Sequence, residues 1–170
     1  AGAERIRGAC TSFGAEFVPV QTNLVDEAWS DQPPSPLGPI YPQDEEFAGV
    51  VSEIKCRNIS SFIEEARADA AVLSAPDSIA WLLNIRGSDV PNTPLALSFA
   101  IVHAAGHVDW FLDQRKLSVA VENALHDGIR VHDIAAFEDT LAELGNGQCN
   151  VRIDTATVSE AVRLILKDAG

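Results

Sequence analysis

An α/β fold with a mixed β-sheet flanked by helices is predicted by three features of this sequence. Helical and extended patterns alternate from about residue 52 onward. Two β-rich runs, Leu95 to His103 and His107 to Asp113, are joined by Ala104-Ala105-Gly106, and the first run is apolar on both faces. Alternation places helices against a sheet, the short glycine-containing connection suggests an antiparallel hairpin, and two apolar faces describe a central strand.

Near the start, Ile6, Ala9, Cys10 and Phe13 fall at helical spacing and Gly14 follows where a helix stop is favoured. A strand is predicted over Glu16 to Val20. The stretch Asp31 to Tyr41-Pro42 contains Pro33, Pro34, Pro36, Pro39 and Pro42, which remove amide donors and fix φ, so it reads as neither strand nor helix interior. The expected organisation is therefore a remnant of a preceding domain over residues 1–30, a proline-rich linker over 31–46 and the main domain over 47–170. The short helix and strand before the linker carry too little apolar surface to fold alone.

In the main domain, Ile59, Phe62, Ile63 and Ala66 form an i, i+3, i+4, i+7 stripe within a helix over Ser52 to Ala68. Ala70 to Ser74 reads as a short buried strand, and Asp77 as the N-cap of a helix through Leu83. In the hairpin, Leu97, Phe99 and Ile101 take one face of the first strand and Ala100 and Val102 the other. Beyond it, helices are predicted at Ser118 to Leu125, Ala135 to Leu144 and Thr157 to Lys167, with strands at Arg130 to His132 and Asn150 to Ile153. Thr157 and Glu160 have the spacing of a capping box, followed by Val158, Ala161, Val162 and Ile165 on one face.

Twelve Lys and Arg against 25 Asp and Glu give a formal charge of −13, which repels phosphate backbones and anionic lipid, so neither nucleic acid nor a membrane is an expected partner. The longest apolar run, Leu95 to Ala105, is interrupted by His103 and has about half the roughly 20 residues of a membrane-spanning helix. The N-terminal residues show no basic region followed by an apolar stretch. Cys10, Cys56 and Cys149 are odd in number and far apart, with no C-x-x-C pair, which fits a reducing, cytoplasmic compartment. The sequence has no methionine, from which a processed or cut-out piece is expected.

Chemistry-bearing constellations are few. His103 and His107 flank the hairpin turn, with Asp109 as a third candidate ligand, and would suit a small metal-dependent enzyme; two solvated histidines at a turn would read the same way. On balance no metal ligand and no catalytic residue is assigned. His126 and His132 read as isolated surface residues. There is no G-x-S-x-G, H-E-x-x-H or P-loop, and the runs Glu64-Glu65 and Asp44-Glu45-Glu46 diverge too far to act as an acid/base pair. Trp81 to Pro94 puts Arg86, Ser88, Asp89 and Asn92 into a polar loop stiffened by Pro91 and Pro94. Either that loop positions a charged group, or Asp89 only satisfies local amides and pairs with Arg86.

Ser78-Ile79-Ala80-Trp81-Leu82-Leu83-Asn84-Ile85-Arg86-Gly87-Ser88-Asp89-Val90, then Pro94 and Ser98 to Val102, closely resembles the middle domain of three-domain Xaa-Pro aminopeptidases, in the creatinase and prolidase group. A second block, Phe17-Val18-Pro19-Val20 with Asn23 to Asp26, Trp29, Asp31 and Pro33, resembles the end of that family's first domain and its linker. The two blocks stand in the family's order and the match runs from about residue 10 onward; Asn92-Thr93 is a local departure. The resemblance implies a creatinase N-terminal type of fold with ribonuclease H-like topology. It also implies a parent that removes an N-terminal residue preceding proline, using water activated by two divalent metals, often manganese. In that family the metal ligands, two aspartates, one histidine and two glutamates, belong to a C-terminal catalytic domain, so no catalytic or metal role carries over to any residue here.

The expectation is thus a non-catalytic piece of a cytoplasmic aminopeptidase. Its partners would be the catalytic domain and, for the parent, short Xaa-Pro peptides, with Arg86, Asp89 and Asn92 as substrate-access loop residues. A face that normally meets the catalytic domain would favour self-association, for instance as a homodimer. The competing expectation is a stand-alone binding or scaffold domain of the same fold.

Overall fold

The computed structural model describes residues 2–18, 20 and 22–170, which divide into two compact units, one ending at Pro36 and the other spanning Leu37–Gly170. The first unit holds α1 (Gly2–Ser12) and α2 (Leu24–Ala28). Gly14, with φ of 70°, follows α1 in the left-handed conformation that glycine reaches without a Cβ penalty. Asn23 caps α2, its side-chain oxygen accepting from the Val25 amide at 3.0 Å. Of the strand expected over Glu16 to Val20, Pro19 lies outside the described residues and the others are irregular. None of the described side chains of this unit is buried, so it has no core of its own.

The second unit begins with β1 (Ile40–Pro42), which corrects the reading of the proline-rich stretch as free of strand. Tyr41 lies opposite Arg86 in a short antiparallel pair with β3 (Ile85–Gly87), and Ile40 is buried in the core. Such an edge strand tolerates prolines because its outer side needs no ladder donors. After α3 (Glu45–Ala48) comes α4 (Ser52–Glu65), whose buried residues are Lys55, Cys56, Ser60 and Ile63. The predicted stripe is rotated: Ile63 is inside, Ile59 only partly, and Phe62 and Ala66 face solvent. The inward side carries Cys56 and Ile63 in the core together with Lys55, whose amine donates to Trp81 O at 3.0 Å and Asn84 Oδ1 at 2.6 Å.

The main sheet has the order β6-β5-β4-β2-β7. β2 (Ala70–Leu73) lies between β4 (Phe99–His103), antiparallel to it, and β7 (Val151–Ile153), parallel to it. β5 (Val108–Leu112) completes the predicted hairpin with β4 and runs parallel to β6 (Ile129–Asp133). β4 is the central strand and the sheet is mixed, as its sequence predicts. The strand starts at Phe99 rather than Leu95 because the preceding residues bond to the loop instead: Asp89 N donates to Leu95 O and Leu97 N to Asp89 Oδ2.

Alternate residues feed two cores. Ala100, Val102, Val108, Trp110 and Leu112 meet α4, α5 (Pro76–Leu83) and α6 (Val119–Ala124) on one face. Ala70, Val72, Ile101 and Phe111 meet α7 (Phe137–Asn146) and α8 (Glu160–Ala169) on the other. Two caps differ from their predicted residues. α5 starts at Pro76, a residue suited to the first helical turn, leaving Asp77 inside that turn. α8 is capped by Ser159, because Thr157 donates its hydroxyl to Asp154 instead.

Candidate functional site

Two polar constellations stand out in the second unit. The first occupies one end of the sheet. The hairpin register sets Ile101 opposite Asp109, and the His103 amide donates to His107 O at 2.9 Å, so His103, His107 and Asp109 share one face. Parallel pairing adds β6, whose His132 lies opposite Phe111 and stacks on its ring. Asp109 binds two imidazoles: His103 Nε2 is 2.8 Å from Oδ2 and His132 Nε2 is 2.8 Å from Oδ1. His107 Nε2 is 4.0 Å from Oδ2, and its ring stacks on that of His103 with centroids 4.0 Å apart.

Burial pushes the Asp109 carboxyl up, but the hydrogen bonds from His132 and His103 and the charge of those rings outweigh it, leaving the acid lowered from its ordinary value. Burial, the His103 ring and Arg130 hold His107 below the usual histidine range. The sequence reading missed His132. It came to Asp109 through a parallel pairing between residues 23 apart, which no local spacing reveals.

His126 takes no part in those hydrogen bonds, its Nδ1 accepting from Gly128 N at 3.1 Å. Its Nε2 is buried with no hydrogen-bond partner, so it is not the simple surface residue predicted.

The second constellation is the segment from Arg86 to Pro94. Arg86 and Asp89 do not form the expected pair. Arg86 donates from one terminal nitrogen to Ile85 O at 2.7 Å and Ala80 O at 3.4 Å, which ties it to the end of α5. Asp89 is buried and accepts from Gly38 N at 2.9 Å, Leu97 N at 2.7 Å and Lys116 Nζ at 2.7 Å. These bonds satisfy the carboxylate and join the proline-rich segment, the loop and the turn after β5. Above this anchor a Val90–Thr93 bridge closes a tight turn, with exposed Asn92 at φ of 59°. Of the three candidate access-loop residues, then, Asn92 is exposed, Arg86 half-buried and Asp89 buried.

Residues 31–170 match the family model of the creatinase/prolidase N-terminal domain. The chain belongs to that family. Within it, the chain is 30% identical over 155 residues to Aminopeptidase P1 of Lotus japonicus and 39% identical over 104 residues to Xaa-Pro aminopeptidase app-1 of Caenorhabditis elegans. Those alignments cover 91% and 61% of this chain but 23% and 17% of the relatives, so the creatinase/prolidase N-terminal domain here spans a quarter or less of their length. The crystal structure of the X-prolyl aminopeptidase from C. elegans, described as a cytosolic enzyme with a di-nuclear active site, superimposes with a TM-score of 0.76 at 30% identity, covering 84% of this chain and 23% of that one. An aminopeptidase P from Streptococcus thermophilus, at a TM-score of 0.50 and 12% identity, shares the fold.

Among the described residues, the group of three ligand-type side chains that comes together is His103, His107 and Asp109. Among the described residues no helix is long and apolar enough to cross a membrane.

Proposed function

We propose that this chain is a non-catalytic part of a cytoplasmic, metal-dependent Xaa-Pro aminopeptidase, whose parent removes the N-terminal residue before proline. In this reading residues 1–30 end a preceding domain, 31–46 link it, and 47–170 pack on the catalytic domain and narrow the path to it. The observation that carries the reading is the likeness in fold and sequence to a stretch covering 23% of the C. elegans enzyme. Two features of the chain support it. An open groove of about 380 Å³, lined by Ile59, Leu73, Trp81 and Leu82, carries apolar surface suited to a neighbouring domain. The turn at Asn92, held from below by Asp89, is a stiff polar projection suited to the rim of an access path.

The test is hydrolysis of an Xaa-Pro peptide with added manganese by the 170-residue chain, beside the full-length product of its gene. Turnover only by the longer protein supports the reading. Turnover by the 170 residues overturns the assignment of chemistry to another domain, and turnover by neither favours a binding or scaffold role. Within an active longer protein, Asn92→Gly, which tolerates the positive φ of this position, is expected to change KM for proline peptides with little change in unfolding; unaltered kinetics would remove the loop from the access path.

A further inference from the structure

The histidine–aspartate cluster combines side chains of the types that ligate metals. The nitrogen and oxygen ligand atoms of His103, His107 and Asp109 all lie within 4.8 Å of one another. Ligands of a tetrahedral zinc ion, bound at about 2.0–2.2 Å, sit roughly 3.3–3.6 Å apart. The present separations from Asp109 Oδ2, 2.8 Å to His103 Nε2 and 4.0 Å to His107 Nε2, lie on either side of that value. Coordination by both rings requires them to leave their stacked arrangement, in which the planes are 13° apart, because each imidazole lone pair lies in its own ring plane; rotation about the side-chain torsions of His103 and His107 supplies that change. The backbone beneath them is paired, since Asp109 is the second residue of β5, His103 ends β4 and the His103 amide donates to His107 O.

We infer that His103 Nε2, His107 Nε2 and Asp109 Oδ2 form a binding site for one late first-row divalent cation, with zinc as the natural probe. A neutral imidazole offers the Nε2 lone pair when its proton resides on Nδ1, so the hydrogen bond from His103 to Asp109 exchanges for a shared metal without any change in the fold. His132 remains on Asp109 Oδ1 and orients the carboxylate, as groups behind a metal ligand commonly do. Water completes the coordination, and the ion has a route in, because the His103 and His107 side chains are 15% and 23% exposed.

Two imidazoles with one carboxylate suit zinc, cobalt, nickel or copper rather than magnesium or calcium, which take oxygen ligands. Arg130, opposite Asp109 on β6, sharpens the preference. Its charge opposes any cation, so an ion held mainly by electrostatics fares worse than one forming strong bonds to nitrogen. The bound ion would pin the β4–β5 turn, which is a structural role. The inference does not depend on the peptidase reading.

The experiment is a calorimetric titration of the untagged protein with zinc, repeated with magnesium and with His107→Ala. His107 is the informative position because at 4.0 Å it makes no hydrogen bond to Asp109, so the variant keeps both bonds of the carboxylate. One zinc per chain is expected, with affinity weakened by roughly 10- to 100-fold or more in the variant and no comparable binding of magnesium. Metal-free unfolding of the variant should stay close to that of the parent protein. Should His107→Ala fail to fold, His107→Gln keeps the bulk of the side chain and serves the same comparison. Absence of saturable zinc binding, equal zinc binding by parent and variant, or equal binding of magnesium would each overturn the inference.

Discussion

Asp89 Oδ2 and Lys116 Nζ lie 2.7 Å apart, with the Asp89 side chain fully enclosed and that of Lys116 4% exposed. Twenty-seven residues separate them in sequence, and the pair stands where local reading put an Arg86–Asp89 contact. Removing one partner strands the other charge without water. Asp89→Ala is expected to cost about 3–5 kcal/mol. The double variant Asp89→Ala with Lys116→Met should cost less than the sum of the single changes, because it leaves no buried unpaired charge. Urea unfolding of the four proteins checks both statements; additive losses would show that the two groups are not coupled.

Gly87 presses against the segment entering β4. A Cβ there would lie 2.6 Å from Ala96 Cβ and 2.7 Å from Ala96 N, and backbone cannot yield as a flexible side chain can. Gly87→Ala is expected to lose about 1–3 kcal/mol through the forced shift. Thermal unfolding measures it, and an unchanged midpoint would mean that β3 has room to move.

Lys55 offers a different test. Its amine bridges Trp81 O and Asn84 Oδ1, and lies 4.7 Å from the Trp81 ring centre. Burial and then the Arg86 charge push its pKa down from the ordinary lysine value. Lys55→Met keeps most of the apolar stem but removes the donors, leaving Asn84 Oδ1 unmatched. A loss of about 1–3 kcal/mol in urea unfolding is the expected outcome; a neutral result would assign the position to packing alone.

His126 makes stability depend on pH. Burial, its largest influence, holds the ring below the ordinary histidine value, with Arg57 acting in the same direction and Glu53 and Asp127 against it. The unfolded chain therefore binds the proton more readily. The contribution is complete above the unfolded pKa of about 6.5 and is lost as pH falls through the lower folded value. The stability difference between the parent protein and His126→Asn should accordingly shrink on going from neutral to mildly acidic solution. A difference that stayed constant across that range would show that the ring does not titrate differently on folding.

Much of the fold was legible because its determinants are local or periodic. The apolar Leu95 to His103 run predicted the central strand, and the turn at Ala104-Ala105-Gly106 predicted its antiparallel neighbour. Where side chains have competing partners, local reading failed. Thr157 and Ser159 are both credible caps, and only the commitment of Thr157 to Asp154 decides between them. The α4 stripe failed for a related reason, since a lysine counts as polar in any pattern yet is buried once Trp81 O of α5 and Asn84 Oδ1 accept hydrogen bonds from it.

The sequence by itself determined the alternation of elements, the hairpin, the acidic surface and the family blocks around Ser78 to Val90, because each depends on residues close together in the chain. Only the tertiary structure decided which polar groups meet. His132 reached Asp109 through the parallel β5–β6 pairing, and Lys116 reached Asp89 through a turn beyond the hairpin. It also recruited Ile40 from the proline-rich stretch into the core. The physical reason is shared: a buried charge or donor must find a partner wherever the packed chain brings one, and that requirement is settled by closeness in space rather than by spacing in sequence.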